Sequence, residues 1–577
     1  MASHVAGALV SLLLLQLAVT SHGVRRILAS EATAAVPPSI TSPELRTGYH
    51  FQPSKNWMNG PMYYRGLYHL FYQYNPNGPA WDHSVVWGHS VSLDLVNWMT
   101  LEPAISPSID SDKFGCWSGS ATILPDDTPM IVYTGINRIQ GNNTFYQVQN
   151  VAYPKNASDP LLREWVKPSY NPIISPEADL NATQFRDPTT AWQGPDGLWR
   201  LLVGNEKGQE GRALVYRSSN RKEWRRAEEP LHSAMTAMWE CPDFFPVADA
   251  GSEDGLDVTS SRDAAKHVLK SSLPFMWNDC YTIGTYDAGT DKYVPDDPSG
   301  DYNRRRYDYG TFYASKTFYD PAKKRRVLWG WVNESDTATA DAAKGWAGIQ
   351  SIPRKVWLDA GGKQLVQWPV EEVESLRVNQ TTVSEVVVKH GKHIEIEMYE
   401  ACQADVEVVF EIPCLNKAEP FDPSFSNDAE KLCNVKGADV GGGVGPFGLW
   451  VLASSDLEER TAVFFRVFRA YDGKPVLLMC SDTTRSSLST DLYKPRVAGY
   501  VDADNIADGK ISLRTLIDRS VIESFGAGGK TCILSRVYPT IATGRDAHLF
   551  VFNNGEEDIK IKHLTAWEMN NAHSTDQ

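Results

Sequence analysis

The sequence predicts an all-β chain, a five-bladed β-propeller followed by a C-terminal β-sandwich, and three observations lead there. Short aromatic and β-branched runs broken by Gly, Pro, Asn and Asp dominate, as in YYRGLYHLFYQYNPNG from Tyr63 and DTPMIVYTGINR from Asp127; this is the pattern of strands and turns. Amphipathic helical periodicity is scarce, which disfavours a parallel sheet with crossover helices. A weak repeat of roughly sixty residues makes Trp98, Trp165 and Trp224 equivalent. VSLDLVNWMTLEPAI from Val91 and RSSNRKEWRRAEEPL from Arg217 both place Trp six residues after a Ser, with a Pro beyond. REWVKPSYNPII is a looser copy, and YASKTFYD near Ser315 reads as the start of another. Such a period suits blades of four short strands, whose radial repetition leaves only short edges.

The elements follow in order. Residues 1–24 read as a signal peptide: the apolar run Val5 to Val19 is too short to span a membrane and is followed by small residues around Ser21 and Gly23. Residues 25–46 form an N-terminal extension, and 47–370 have room for about five blades. The aromatic repeat stops after WPVEEVESLR from Trp368, so 371–380 read as a linker. Strand-like alternation in HIEIEMYE and ADVEVVFEIP then predicts a sandwich over 381–570. Within it RSVIESFGAGG resembles a hairpin, and Gly441 to Gly448 reads as a sandwich loop, because no helix pattern follows it as a phosphate loop requires.

Composition narrows the function. At 577 residues the chain exceeds one small core. A formal charge of −15 disfavours nucleic acid and anionic membranes as partners. The 18 Trp, 24 Tyr and 20 Phe supply flat faces for sheet cores or for the C–H faces of sugars. Sequons at Asn142, Asn156, Asn181, Asn333 and Asn379 agree with a secreted, glycosylated protein of the extracellular space. Eight Cys are too few for a disulfide scaffold; one or two bridges are expected, with Cys433 and Cys480 tying two strands together. No metal or organic cofactor is expected, since the 13 His form no H-E-x-x-H and no C-x-x-C is present.

Two acidic motifs carry the chemistry: Phe185-Arg186-Asp187-Pro188 and Trp239-Glu240-Cys241-Pro242-Asp243. Alone, Asp187 reads as a turn residue and Glu240 as a surface strand residue. Together they match glycoside hydrolysis, which needs one carboxylic acid to protonate the leaving oxygen and a second carboxylate. Trp239 and Pro242 are expected to help keep Glu240 protonated by desolvation.

These motifs, with FQPSKNWMN, LYHLFYQYNP, WGHSVSLDLVNW, CWSGSAT, YTIGTYD and YDYGTFYASKTF, occur in order. The chain thereby resembles the plant acid invertases of the cell-wall type, β-fructofuranosidases of glycoside hydrolase family 32. The resemblance implies a five-bladed propeller, a sandwich, and retaining hydrolysis of sucrose or other small β-fructofuranosides. It implies Glu240 as acid/base and Asp187, beside Arg186, as transition-state stabiliser. It places Trp57, Asn59, Gln73, Trp81, Trp117, Ser118 and Asp287 around the sugar. Asp287 resembles the Asp of sucrose cleavers, although a Lys often found three residues later is Thr290 here. The resemblance also leaves room for cell-wall polysaccharide and a proteinaceous inhibitor as partners, in apoplast or cell wall.

One departure stands out. The family pattern resembles W-x-N-D-P-N-G-P with its Asp as nucleophile, whereas this sequence reads Trp57-Met58-Asn59-Gly60-Pro61. Both flanks align, so Asp-Pro-Asn is deleted between Asn59 and Gly60. Three extended residues span roughly 10 Å, and a neutral amide replaces neither a nucleophile nor a counter-charge to an oxocarbenium-like state. Little or no sucrose hydrolysis is expected from the chain as written. A catalytically silent sugar-binding or regulatory homologue and a fructan exohydrolase are the alternatives.

Overall fold

The computed structural model describes residues 42–53, 60–141, 144–260, 266–303, 305–412, 414–502 and 509–575. Residues 1–41, which include the expected signal peptide, lie outside these ranges, as do Trp57, Asn59 and the sequon residue Asn142. None of the described helices is long and apolar enough to cross a membrane.

Five antiparallel sheets follow one another along the chain, each a meander. The first holds Met62–Tyr64, Leu67–Tyr74, Val86–Ser92 and Met99–Ile105. The second is built on Cys116–Ile123, Pro129–Gln140 and Thr144–Pro154, with Trp165–Val166 outermost. The third pairs an interrupted inner strand, Phe185–Arg186 and Trp192–Gln193, with Trp199–Lys207, Glu210–Ser218 and Arg225–Arg226. Glu240–Pro246, His267–Leu273, Asn278–Asp287 and Lys292–Pro295 make the fourth; Phe312–Asp320, Arg325–Val332, Arg354–Leu358 and Leu365–Pro369 make the fifth. These are the blades of the propeller. Trp98, Trp165 and Trp224 each stand at the entry to the outermost strand of a blade, which explains their repeat. YASKTFYD does not continue that series: it lies in the innermost strand of the fifth blade.

The sandwich follows. Its first strand, Arg377–Val388, begins inside the stretch read as a linker, after a 3-10 turn at Glu371–Leu376. Six strands of one sheet, among them Gln403–Glu411, Lys510–Asp518, Val521–Gly526 and Thr531–Arg536, face a second sheet containing Val444–Ala453 and Thr461–Arg469. Phe410, Phe447, Phe465, Leu449 and Leu549 fill the space between them. RSVIESFGAGG is indeed strand and turn, with Val521–Gly526 paired to both neighbours. The Gly-rich stretch is loop only as far as Gly443, because strand Val444–Ala453 runs through its second half. Cys433 and Cys480 are bridged. The bridge ties the short helix Ala429–Val435 to strand Pro475–Asp482, not strand to strand. Asp428 caps that helix by accepting from the Lys431 N–H at 2.9 Å.

Candidate active site

The innermost strand of every blade starts at the same end of the propeller, and the site is built from those N-terminal ends. Met62, Cys116, Phe185, Glu240 and Phe312 open the five inner strands. Regular strands would alternate side chains between faces. Here the pairing slips between Trp117 and Gly119, between Glu240 and Asp243, and between Tyr313 and Lys316. Asp187, Cys241 and Ala314 adopt φ of +66°, +44° and +52°. Bulges of this kind re-aim side chains and recur beside functional sites.

Arg186 organises the two acidic motifs. Its Nη2 lies 2.6 Å from Glu240 Oε1 and its Nε 3.9 Å from Asp187 Oδ2. Nη1 donates to Gln184 Oε1 at 2.9 Å and to Gln147 Oε1 at 3.2 Å. Asp187 is buried; its Oδ2 accepts the Cys241 N–H at 2.9 Å, and its own N–H donates to Thr134 Oγ1. Burial raises the Asp187 carboxyl; Arg186 pulls it down and the Glu240 charge pushes it up again. Glu240 is held from its other side by Tyr313, whose hydroxyl donates to Oε2 at 2.6 Å. Burial pushes the Tyr313 phenol well above its ordinary value, with the Glu240 charge adding, so it stays a donor.

Sequence reasoning missed Tyr313 and Gln147. They lie 73 residues from Glu240 and 39 from Arg186, and no local pattern links them. The expected role of Trp239 is corrected: its buried indole points into the core between the third and fourth blades, with Trp192, Leu202 and Phe244, and donates to Thr236 Oγ1. Glu240 is held instead by Arg186 and Tyr313.

The remaining candidates divide. Gln73 is buried near the end of the second strand of the first blade, Leu67–Tyr74, opposite Trp87, with its Nε2 unpartnered among the described residues. Trp81 is 47% exposed and packs 6.0 Å from Trp117, whose Nε1 donates to the His83 carbonyl. Ser118 sits at the bulge of the second inner strand. Asp287 is not brought to this site. Ser272 lies opposite Glu240, and Asn278 begins the next strand at that end. Asp287 closes Asn278–Asp287 at the opposite end, roughly 30 Å away. There it caps a turn, accepting from the Gly289 N–H and the Thr290 hydroxyl. What stands beside Glu240 is the turn between Leu273 and Asn278, where Phe275, Met276 and Trp277 are 74, 41 and 41% exposed. Trp277 packs 5.1 Å from Tyr313.

The comparisons with known proteins agree with this architecture. The model of the glycosyl hydrolases family 32 N-terminal domain matches residues 50–369, and that of the family 32 C-terminal domain matches 372–568. The chain is 64% identical to "Beta-fructofuranosidase, insoluble isoenzyme 1" of Oryza sativa subsp. indica, over 97% of this chain and 96% of that protein. It is 63% identical to "Beta-fructofuranosidase, cell wall isozyme" of Zea mays, with 97% and 96% covered. Fructan 1-exohydrolase IIa of Cichorium intybus, 48% identical, superposes with a TM-score of 0.88 over 92% of this chain and 99% of that one; one of its structures is a complex with 1-kestose.

Proposed function

The chain belongs to glycosyl hydrolase family 32, and on that premise we propose that its site is that of a β-fructofuranosidase whose acid/base half is complete and whose nucleophile is missing. Glu240 would protonate the leaving oxygen, and Asp187 would bind fructosyl hydroxyls and balance the oxocarbenium-like charge. Arg186 carries this reading, because it holds Glu240 directly and lies beside Asp187. Retention needs a second carboxylate about 5–5.5 Å from the acid, and no Asp or Glu remains between Trp57 and Pro61. The chain as written therefore binds small β-fructofuranosides and does not turn sucrose over. Gly60 is buried at φ +61°, and a Cβ there would stand 3.0 Å from the Trp87 ring, so no larger residue replaces it without strain. The name of the Zea mays relative supports placement in the cell wall.

The test inserts Asp-Pro-Asn after Asn59 in the full chain. We expect no sucrose hydrolysis before insertion and clear turnover after it. Turnover by the unmodified chain, or none after insertion, refutes the reading. The apolar turn Phe275–Met276–Trp277 beside Glu240 favours a second reading, an exohydrolase of short fructans, as does the likeness to the chicory enzyme. Offering the restored chain 1-kestose against sucrose separates the two.

A further inference from the structure

The loop leaving strand Arg325–Val332 carries Glu334 and Asp336, and the helix Ala338–Lys344 adds Asp341 and Lys344. One oxygen from each of the three carboxylates lies within 4.8 Å of the others. Lys344 Nζ stands among them, 2.5 Å from Asp341 Oδ1, 2.6 Å from Asp336 Oδ2 and 3.4 Å from Glu334 Oε2. A second cation comes from the other domain: Arg536 Nε, on sandwich strand Thr531–Arg536, is 3.3 Å from Glu334 Oε2. Lys344 and Arg536 both lie over the rings of Trp346 and Tyr538. Ser335 Oγ donates to the Arg536 carbonyl, and the Tyr493 N–H to the Ser335 carbonyl. The Lys344 and Asp336 side chains are fully enclosed.

Three acids thus meet two cations at the joint between propeller and sandwich. When all are ionised, one negative charge is left without a partner where water screens little. One carboxylate oxygen, Asp336 Oδ1, has no hydrogen-bond partner among the described residues. We propose that this cluster is a proton-operated latch between the two domains, closed while one of its carboxyls holds a proton and loosened when rising pH removes it. Burial pushes the Asp341 carboxyl up to about 8, opposed by Lys344 and reinforced by Glu334 and Asp336. Asp336 is raised by its burial and by Glu334 in the same way.

The sign follows from linkage. A carboxyl whose pKa is higher in the folded than in the unfolded chain stabilises fully below the unfolded value, about 3.9, and that contribution is lost as pH climbs through the folded one. The test follows melting of the full chain and of Asp341→Asn from about pH 5 to about pH 9. Asn mimics the neutral acid and does not titrate, so the melting temperature of the unsubstituted chain should fall by roughly 2–4 °C relative to the variant between the acid and the alkaline end of that range. A gap of equal size at every pH overturns the latch. Should the variant not fold, hydrogen exchange of the unsubstituted chain, corrected for its intrinsic pH dependence, serves instead. Peptides spanning 333–348 and 531–538 should lose protection above about pH 8 before Val444–Ala453 does, and simultaneous loss overturns the proposal.

Discussion

At the scale of single residues, the two acids do not stand alone. Tyr313 and Arg186 grip the two oxygens of Glu240, and a hydrogen bond to a charged group contributes about 1.5–3 kcal/mol. In the tripeptide-restored chain, Tyr313→Phe should lower kcat about tenfold or more with little change in KM. Glu240→Gln should cost about 10²- to 10⁴-fold, measured as sucrose turnover. Arg186, Asp187 and Glu240 were legible because each sits in a contiguous motif. Tyr313 lies in YDYGTFYASKTF, yet its hold on Glu240 was not legible, because only folding brings the fifth inner strand against the fourth. Asp287 was misplaced for a related reason: a motif says which strand a residue joins but not which end of the blade it occupies.

At the scale of elements, bulges at three inner strands and the left-handed backbone at Asp187 decide where side chains point. The turn between Leu273 and Asn278 leaves Phe275 and Trp277 exposed, with Trp277 packed against Tyr313, the partner of Glu240. Trp277→Ala should weaken binding of 1-kestose two- to tenfold by calorimetry, since a stacking partner contributes about 0.5–1.5 kcal/mol; fructose affinity should hardly move. The bridge between Cys433 and Cys480 closes a separation of 47 residues. Replacing both by Ala should cost about 2–4 kcal/mol, read from chemical denaturation of the sandwich. The pairing was predicted as strand to strand because the seven-residue helix Ala429–Val435 is too short to show a helical period.

At the scale of the whole molecule, a buried chain of charges joins the domains. His50 places Nδ1 2.8 Å from Asp518 and Nε2 3.2 Å from Glu523, both on the sandwich. Arg354 of the fifth blade bridges Glu523 and Asp308, each at 2.9 Å. The Asp518 carboxylate also accepts the N–H groups of Gly48, Tyr49 and His50. Burial alone would pull the His50 imidazole down, but Asp518 and Glu523 outweigh it and raise it. Its stabilisation is then complete below about 6.5 and lost as pH rises through the folded value. His50→Gln should melt lower than the unsubstituted chain in acid, with the difference shrinking in alkali. The latch proposed at Lys344 has the same sign as this histidine.

The sequence by itself determined the fold class, the order of propeller and sandwich, and the two acidic motifs. These properties are local: strand periodicity, turn residues and contiguous motifs are written in neighbouring positions. Only the tertiary structure decided which partners hold Glu240, that Asp287 lies at the far end of its blade, and that three carboxylates share two cations at the domain joint. Each of these depends on packing residues tens to hundreds of positions apart, where one-dimensional spacing carries no distance.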